Sequence, residues 1–235
     1  GAGGIPDAAA RLIAATISQR WKLPPVVETK TGVGGTLAAK TVLAAPADGS
    51  TLLSVSPAHA TAPAVFSNPG YDTLRDFVPV TLIGDGPALI VAPGNLPAKN
   101  LAEMVAQAKA RPGSLSYSSA GVGSSSHFAA ALFCQQAGID AVNIPYKSVG
   151  EAMTETIAGR VQFHIAPYVS AAAMVKEGKV RALAVTSPRR IAEMPDVPTV
   201  AEAGVPGYEW SFWYGLLASA KTPAPVVAQL NKDIT

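Results

Sequence analysis

Leu115-Ser116-Tyr117-Ser118-Ser119-Ala120-Gly121-Val122-Gly123-Ser124-Ser125-Ser126-His127 is the stretch on which the reading of this chain turns. Its first four residues read as a strand, and residues 125–137 read as a helix. The loop between them is built from small residues and glycine. Such a loop aims several backbone N–H groups and hydroxyls at one spot beside the positive end of a helix, which suits a carboxylate or a phosphate. The same residues also suit a plain tight turn with a helix cap, so both readings stand at this point.

Outward from this loop, strand and helix patterns alternate. Strands are expected at 50–55, 78–83, 88–91, 115–118, 142–144, 161–165 and 180–186, with a short one at 26–27. Helices are expected at 6–20, 36–45, 101–110, 125–137, 150–158 and 169–177. This order builds parallel sheets covered on both faces, and the class is α/β. The break Pro93-Gly94-Asn95-Leu96-Pro97 is the first expected lobe boundary, and an aromatic-rich extended run at 210–217 is the second crossing. The expected organisation is therefore a first lobe at 1–96, a second at 97–209, and a return to the first at 210–235.

Composition removes several functions. The 235 residues are 49% hydrophobic and 14% charged, enough to bury a core and too apolar for disorder. A formal net charge of +2, with basic residues scattered singly or as the pair Arg189-Arg190, argues against nucleic acid as a partner. Cys134 is the single cysteine, which excludes an intrachain disulfide and a cysteine-based metal cluster. His59, His127 and His164 show no metal-binding spacing, so neither metal nor cofactor is expected.

Other candidates are weaker when taken singly. Gly1-Ala2-Gly3-Gly4-Ile5-Pro6-Asp7 is a second glycine-rich approach to a helix, and two such approaches facing each other across a cleft suit a ligand with two anionic groups. Ser56 and Ala58 follow a strand end, where open α/β sheets place ligands, although a simple turn fits equally. Gly32-Val33-Gly34-Gly35 lacks the full dinucleotide fingerprint, and helix packing explains it better. For catalysis, the serines before His127 suggest a nucleophile and base. The Gly-x-Ser-x-Gly elbow is absent, however, and no nearby acid is placed to orient the base. His127 itself suits either a ligand contact or a local bond, and His164 either a cleft or a buried position.

Taken in order, these segments resemble the tripartite tricarboxylate transporter substrate-binding family, the Bug receptors or TctC-like proteins. The matching pieces are GG-x-x-D from Gly3, GVGGT from Gly32, APADGSTLL from Ala45, YDTLRDFVPVTLI from Tyr71 and ARPGSLSYSSAGVGSSSH from Ala110. They continue with IPYKSVGEAMTETIAGRV from Ile144, GKVRALAVTSPRR from Gly178, MPDVPTVAEAGVPGYE from Met194 and the Trp213-Tyr214-Gly215 triplet. Each is weak alone; together they span almost the whole chain.

The resemblance implies a two-lobed periplasmic binding protein fold of type II kind. Its first lobe would be incomplete at both chain ends, because the family usually has a strand before the glycine loop and further helices beyond residue 235. It implies a periplasmic, monomeric receptor, any signal peptide being removed or outside this sequence, that closes on a small carboxylate and delivers it to the permease subunits of a transporter. Carried over by position, ligand contacts fall to Gly3, Gly4, Ser56, Ala58, Ser119, Gly121, Gly123, Ser124 and Ser125, with Asp7 orienting its loop or bonding an amino group or water. His127 joins them from the reading of the loop itself. The family often carries aspartate at the position of Ala166, so an amino-acid ligand loses support here. The alternatives are a sensory receptor of the same fold and, more distantly, a serine-dependent hydrolase.

Overall fold

The computed structural model describes residues 5–21, 24–30 and 33–235. The chain divides into two compact units, Gly1–Asp85 with Trp213–Thr235, and Gly86–Phe212. The division falls at 85/86 and 212/213, whereas the proline break at 93–97 lies inside the second unit.

In the first unit, helix α1 (Ile5–Trp21) carries Asp7 in its first turn and Arg20 in its last, each favourable to the helix dipole. Its end is tied to helix α8 (Ala224–Ile234), where the Trp21 indole N–H donates to the Asp233 carboxylate at 2.9 Å and Arg20 to the Asp233 carbonyl at 2.8 Å. Helix α2 (Thr36–Ala44), strand β1 (Leu53–Val55) and helix α3 (Pro57–Val65) follow. Strand β1 pairs antiparallel with strand β7 (Ser211–Ser219), which in turn pairs with β2 (Phe77–Pro93). Ala39, Val42, Leu53, Val55, Ala62, Tyr71 and Phe77 form its core, and Val80, Leu216, Ala218 and Leu230 form a second cluster beneath α8.

In the second unit the elements are helix α4 (Leu101–Ala110), strand β3 (Leu115–Ser119), helix α5 (Ser125–Ala137), strand β4 (Ala141–Pro145), helix α6 (Val149–Ile157), strand β5 (Phe163–Pro167), helix α7 (Tyr168–Lys176) and strand β6 (Val180–Val185). Strands β4, β3 and β5 are parallel neighbours, and the end of β2 lies antiparallel between β5 and β6. The sheet is thus mixed, not wholly parallel, because β2 enters it from the other unit running the opposite way. Residues 88–93 are all buried, as expected for a strand covered on both faces.

Three sequence expectations change. The strands expected at 78–83 and 88–91 are one 17-residue strand, β2. Gly84, Gly86 and Pro87 suggest a break, but an extended backbone admits all three, and Pro87, which has no N–H to donate, precedes the point where pairing with β5 and β6 starts at Ala88 and Leu89. No strand occurs at 26–27. Conversely, α3 occupies a segment where no helix was expected, and it holds Pro63 within it.

Because β3, β4 and β5 are parallel, the helices that follow them all begin at one edge of the second unit's sheet, outside the strand carboxyl ends. Ligands of open α/β sheets bind at such an edge.

Candidate functional site

The turn from β3 to α5 is held by its own polar groups. Ser124 is the N-cap of α5, in extended conformation (φ −75°, ψ 159°), and its Oγ accepts the backbone N–H of His127. The hydroxyl of Ser126 turns back and accepts the N–H of Ala120 at 2.9 Å, and it shares a hydrogen bond with the Ser124 hydroxyl. His127 closes the turn in the other direction, its Nδ1 accepting the N–H of Gly123 at 3.3 Å. An accepting Nδ1 is unprotonated, and burial lowers the pKa of this ring, which favours that neutral state.

Glycine is required in this loop at two points. Gly121 and Gly123 have φ of 107° and 78°, where an L side chain is strained. A Cβ on Gly121 would also stand 3.4 Å from the carbonyl oxygen of Tyr146. Tyr146, the residue after β4, anchors the loop, since its N–H donates to the Ser119 carbonyl at 2.8 Å. The Ser119 hydroxyl donates to the carbonyl of Gly121. Ser125 is the buried first residue of α5. Ser119, Gly121, Gly123, Ser124, Ser125 and His127 are therefore gathered in one loop at the sheet edge, with Val122 at its tip, 52% exposed.

What distinguishes α5 from its neighbour is charge. The start of α6 is occupied by the protein's own carboxylate: Ser148 accepts the N–H of Glu151, and Glu151 Oε2 accepts the N–H of Lys147 at 3.0 Å. No acidic residue lies in the first turn of α5. Its N-cap is the neutral hydroxyl of Ser124, at the positive end of the helix dipole. The arrangement favours an external anion there.

The first unit holds the other candidates. The Asp7 carboxylate is engaged by Arg11 at 3.1 Å and by the Thr29 hydroxyl at 3.1 Å, so it fixes local structure around the start of α1. Ser54, in β1, donates to the carbonyl of Pro6 at 3.1 Å and brings the start of α1 to the end of β1. Ser56 is the N-cap of α3, and Ala58 is buried in its first turn. Gly3 and Gly4 lie outside the described residues.

The remaining histidines are buried. His59 stacks on Tyr71 with centroids 4.9 Å apart and planes at 7°, and meets Phe77 edge-on. His164 is fully buried on β5, and its Nδ1 lies 2.8 Å from the Ser118 carbonyl. In both, burial pulls the ring pKa down to about 4. Ala166 lies in an apolar cluster with Leu89, Val91, Met153 and Val185. Among the described residues no group of three or more His, Cys, Asp or Glu side chains is placed to hold a metal ion, and no helix is long and apolar enough to cross a membrane.

Sequence reading missed Ser126 and Tyr146 as loop-forming residues. The serine run signals hydroxyls but not which of the three turns inward, and the Tyr146 contact is made by its backbone, which any residue other than proline supplies.

The sequence model of the tripartite tricarboxylate transporter family receptor matches residues 9–235. Protein BugT of Bordetella pertussis is 33% identical over 234 residues, covering 99% of this chain and 72% of BugT. A protein of Pseudomonas sp. strain P51 from the tcbD-tcbE intergenic region is 36% identical over 233 residues, covering 99% of this chain and 69% of its own. Among solved structures, Rpa4515 of R. palustris with adipate and MatC of Rhodopseudomonas palustris with bound malate each share 35% identity and superpose with a TM-score of 0.92 over 100% of this chain, covering 79% and 80% of theirs. The periplasmic binding protein BugD superposes with a TM-score of 0.90 at 34% identity, 100% of this chain covering 78% of BugD. With the family pattern matched from residue 9 to the last, this chain belongs to the tripartite tricarboxylate transporter family of receptors.

Proposed function

We propose that this receptor captures a small carboxylate and that the loop of residues 119–127 receives the carboxylate group. The observation that carries the reading is the start of α5, where glycine-shaped backbone and neutral hydroxyls surround a helix end with no acidic residue of its own. Its relatives with adipate and malate support the ligand class. Gly121, Gly123, Ser124 and Ser125 line the position of the carboxylate, Ser119 and His127 shape the loop, and in the first unit Gly3, Gly4, Asp7, Ser56 and Ala58 contribute to capture.

A receptor of this kind works by binding and release without turnover. His127 fits that role: its Nδ1 accepts an amide N–H, while the Ser124 hydroxyl is spent on the backbone of α5. Neither is arranged as the base and nucleophile of a hydrolase. The protein acts as a monomer in the periplasm and hands its ligand to the permease subunits of a transporter, with lobe closure favouring the liganded state.

The test is thermal unfolding against a panel of mono-, di- and tricarboxylates, phosphate and neutral amides. A ligand at about a hundred times its dissociation constant adds about 2.7 kcal/mol, which moves the midpoint by roughly 5–11 °C in a chain of this size. A shift confined to carboxylates, with the compound recovered unchanged, is the expected result. A shift with phosphate or neutral analogues alone, or conversion of the compound, contradicts the proposal.

A further inference from the structure

The short ladder between β3 and β5 has only two paired rungs, Tyr117 with Phe163 and Ser118 with His164. Side chains of β5 and of the residue before it close it at both ends. Gln162 Oε1 accepts the N–H of Ser116 at 2.8 Å, and the His164 ring meets the carbonyl of Ser118 at 2.8 Å. A carbonyl only accepts, so Nδ1 carries the proton and the ring donates to the carbonyl of the last paired rung before the loop.

Ser118 is held on its other side as well. The Thr156 hydroxyl donates to the carbonyl of Ala152, which leaves the Ser118 hydroxyl to donate to Thr156 Oγ1 at 2.9 Å. Ser118, Thr156 and His164 are all completely buried. The residue after Ser118 is the first of the loop, where Tyr146 and Gly121 take over.

We infer that His164 is a positioning residue for the carboxylate loop: through the Ser118 carbonyl it fixes the point from which residues 119–124 depart, and so the aim of their N–H groups. This inference rests on the receptor reading of that loop. His164 touches no ligand. It acts because its N–H is a side-chain donor to a buried carbonyl in the residue next to the loop, and losing that bond frees the strand end to shift. Burial, which keeps the ring neutral down to about pH 4, makes the anchor constant across the physiological range.

The experiment compares H164F, H164N and H164Q with the unchanged chain. Phenylalanine keeps a ring without a donor, asparagine offers an amide near the place of Nδ1, and glutamine carries its amide one bond too far. Two quantities are read: hydrogen exchange at the amides of residues 119–126 without ligand, and affinity for malate and adipate. Expected are about tenfold faster loop exchange and about tenfold weaker binding for H164F and H164Q, with H164N within about twofold of the unchanged chain. Should the phenylalanine chain fail to fold, the asparagine and glutamine pair decides. Unchanged loop exchange in a folded H164F or H164Q, or H164N as impaired as H164Q, overturns the inference. If the unchanged chain takes up neither acid nor any other carboxylate, the receptor reading fails, and the exchange measurement still decides whether His164 holds the loop.

Discussion

Ser56-Pro57-Ala58-His59 in one unit and Ser124-Ser125-Ser126-His127 in the other are the same local pattern: a strand end, a serine at the N-cap, and a histidine at the third helical position. They have opposite fates. In the second unit the serine hydroxyl takes the histidine N–H and the ring folds back on Gly123, half-buried at the loop. In the first, the histidine N–H goes to the carbonyl of Ser56, and the ring packs between Tyr71 and Phe77, 6% exposed. Glycine marks the difference. Gly121 and Gly123 adopt left-handed conformations that curl the chain into a loop before α5, whereas β1 ends at Val55, one residue before its N-cap. A serine and a histidine at a helix start make an anion loop only where the approaching backbone can turn.

The largest effect that tests this contrast is S124D. A carboxylate at the cap of α5 compensates the helix end from within and repels the ligand, so malate and adipate affinities should fall on the order of a hundredfold or more. The unfolding midpoint should stay near its original value. Calorimetric titration checks it, and undiminished affinity would break the distinction between α5 and the acid-capped α6. S124A removes only the cap, expected to cost about 1 kcal/mol of stability and less affinity than the aspartate.

Next is G121A. A φ of 107° and the Tyr146 carbonyl at 3.4 Å make alanine strained there, at about 1–3 kcal/mol, with weaker binding as the loop reshapes. Denaturant unfolding with parallel titration measures both. An unstrained, fully binding G121A would remove glycine from the explanation.

The histidines separate the two units further. H127F deprives the Gly123 N–H of its acceptor and should weaken binding by roughly fivefold, the scale of one hydrogen bond. H59F should leave binding unchanged, since that ring belongs to an aromatic core.

H59F should instead alter the dependence of stability on pH. His59 and His164 have pKa values of about 4 when folded against 6.5 ordinarily, so between those values the unfolded chain binds protons that the folded one refuses. Stability is full above about pH 6.5 and declines as pH falls towards 4. Replacing His59 should remove its contribution and flatten the decline between pH 4 and 6.5. An unchanged slope in H59F would mean that its ring does not titrate as buried.

Much of this was legible in the sequence. The helices at 101–110 and 125–137 carry their own signals, apolar spacing with Asn100 at one cap and Gly138, at φ 62°, closing the other. The strand-loop-helix at 115–137 was readable for the same reason: small residues are conspicuous where backbone must turn. Less legible were features set by pairing across the chain. The single strand β2 looks broken because Gly84, Gly86 and Pro87 are local turn signals, and only its changing partners show that no turn is made. The strand expected at 26–27 rested on two valines, too few to decide. The roles of the three histidines could not be told apart, since His59 and His127 share a pattern and His164 finds its carbonyl 46 residues away.

The most direct test of the central claim is an amide chemical-shift titration of the intact chain with malate and with adipate. Saturable shifts centred on Gly121, Val122, Gly123, Ser125 and Ser126 are expected, abolished in S124D, with the amides at the start of α6 moving little because Glu151 already occupies that helix end. Saturable shifts that leave residues 119–127 untouched, or that survive in S124D, would contradict it.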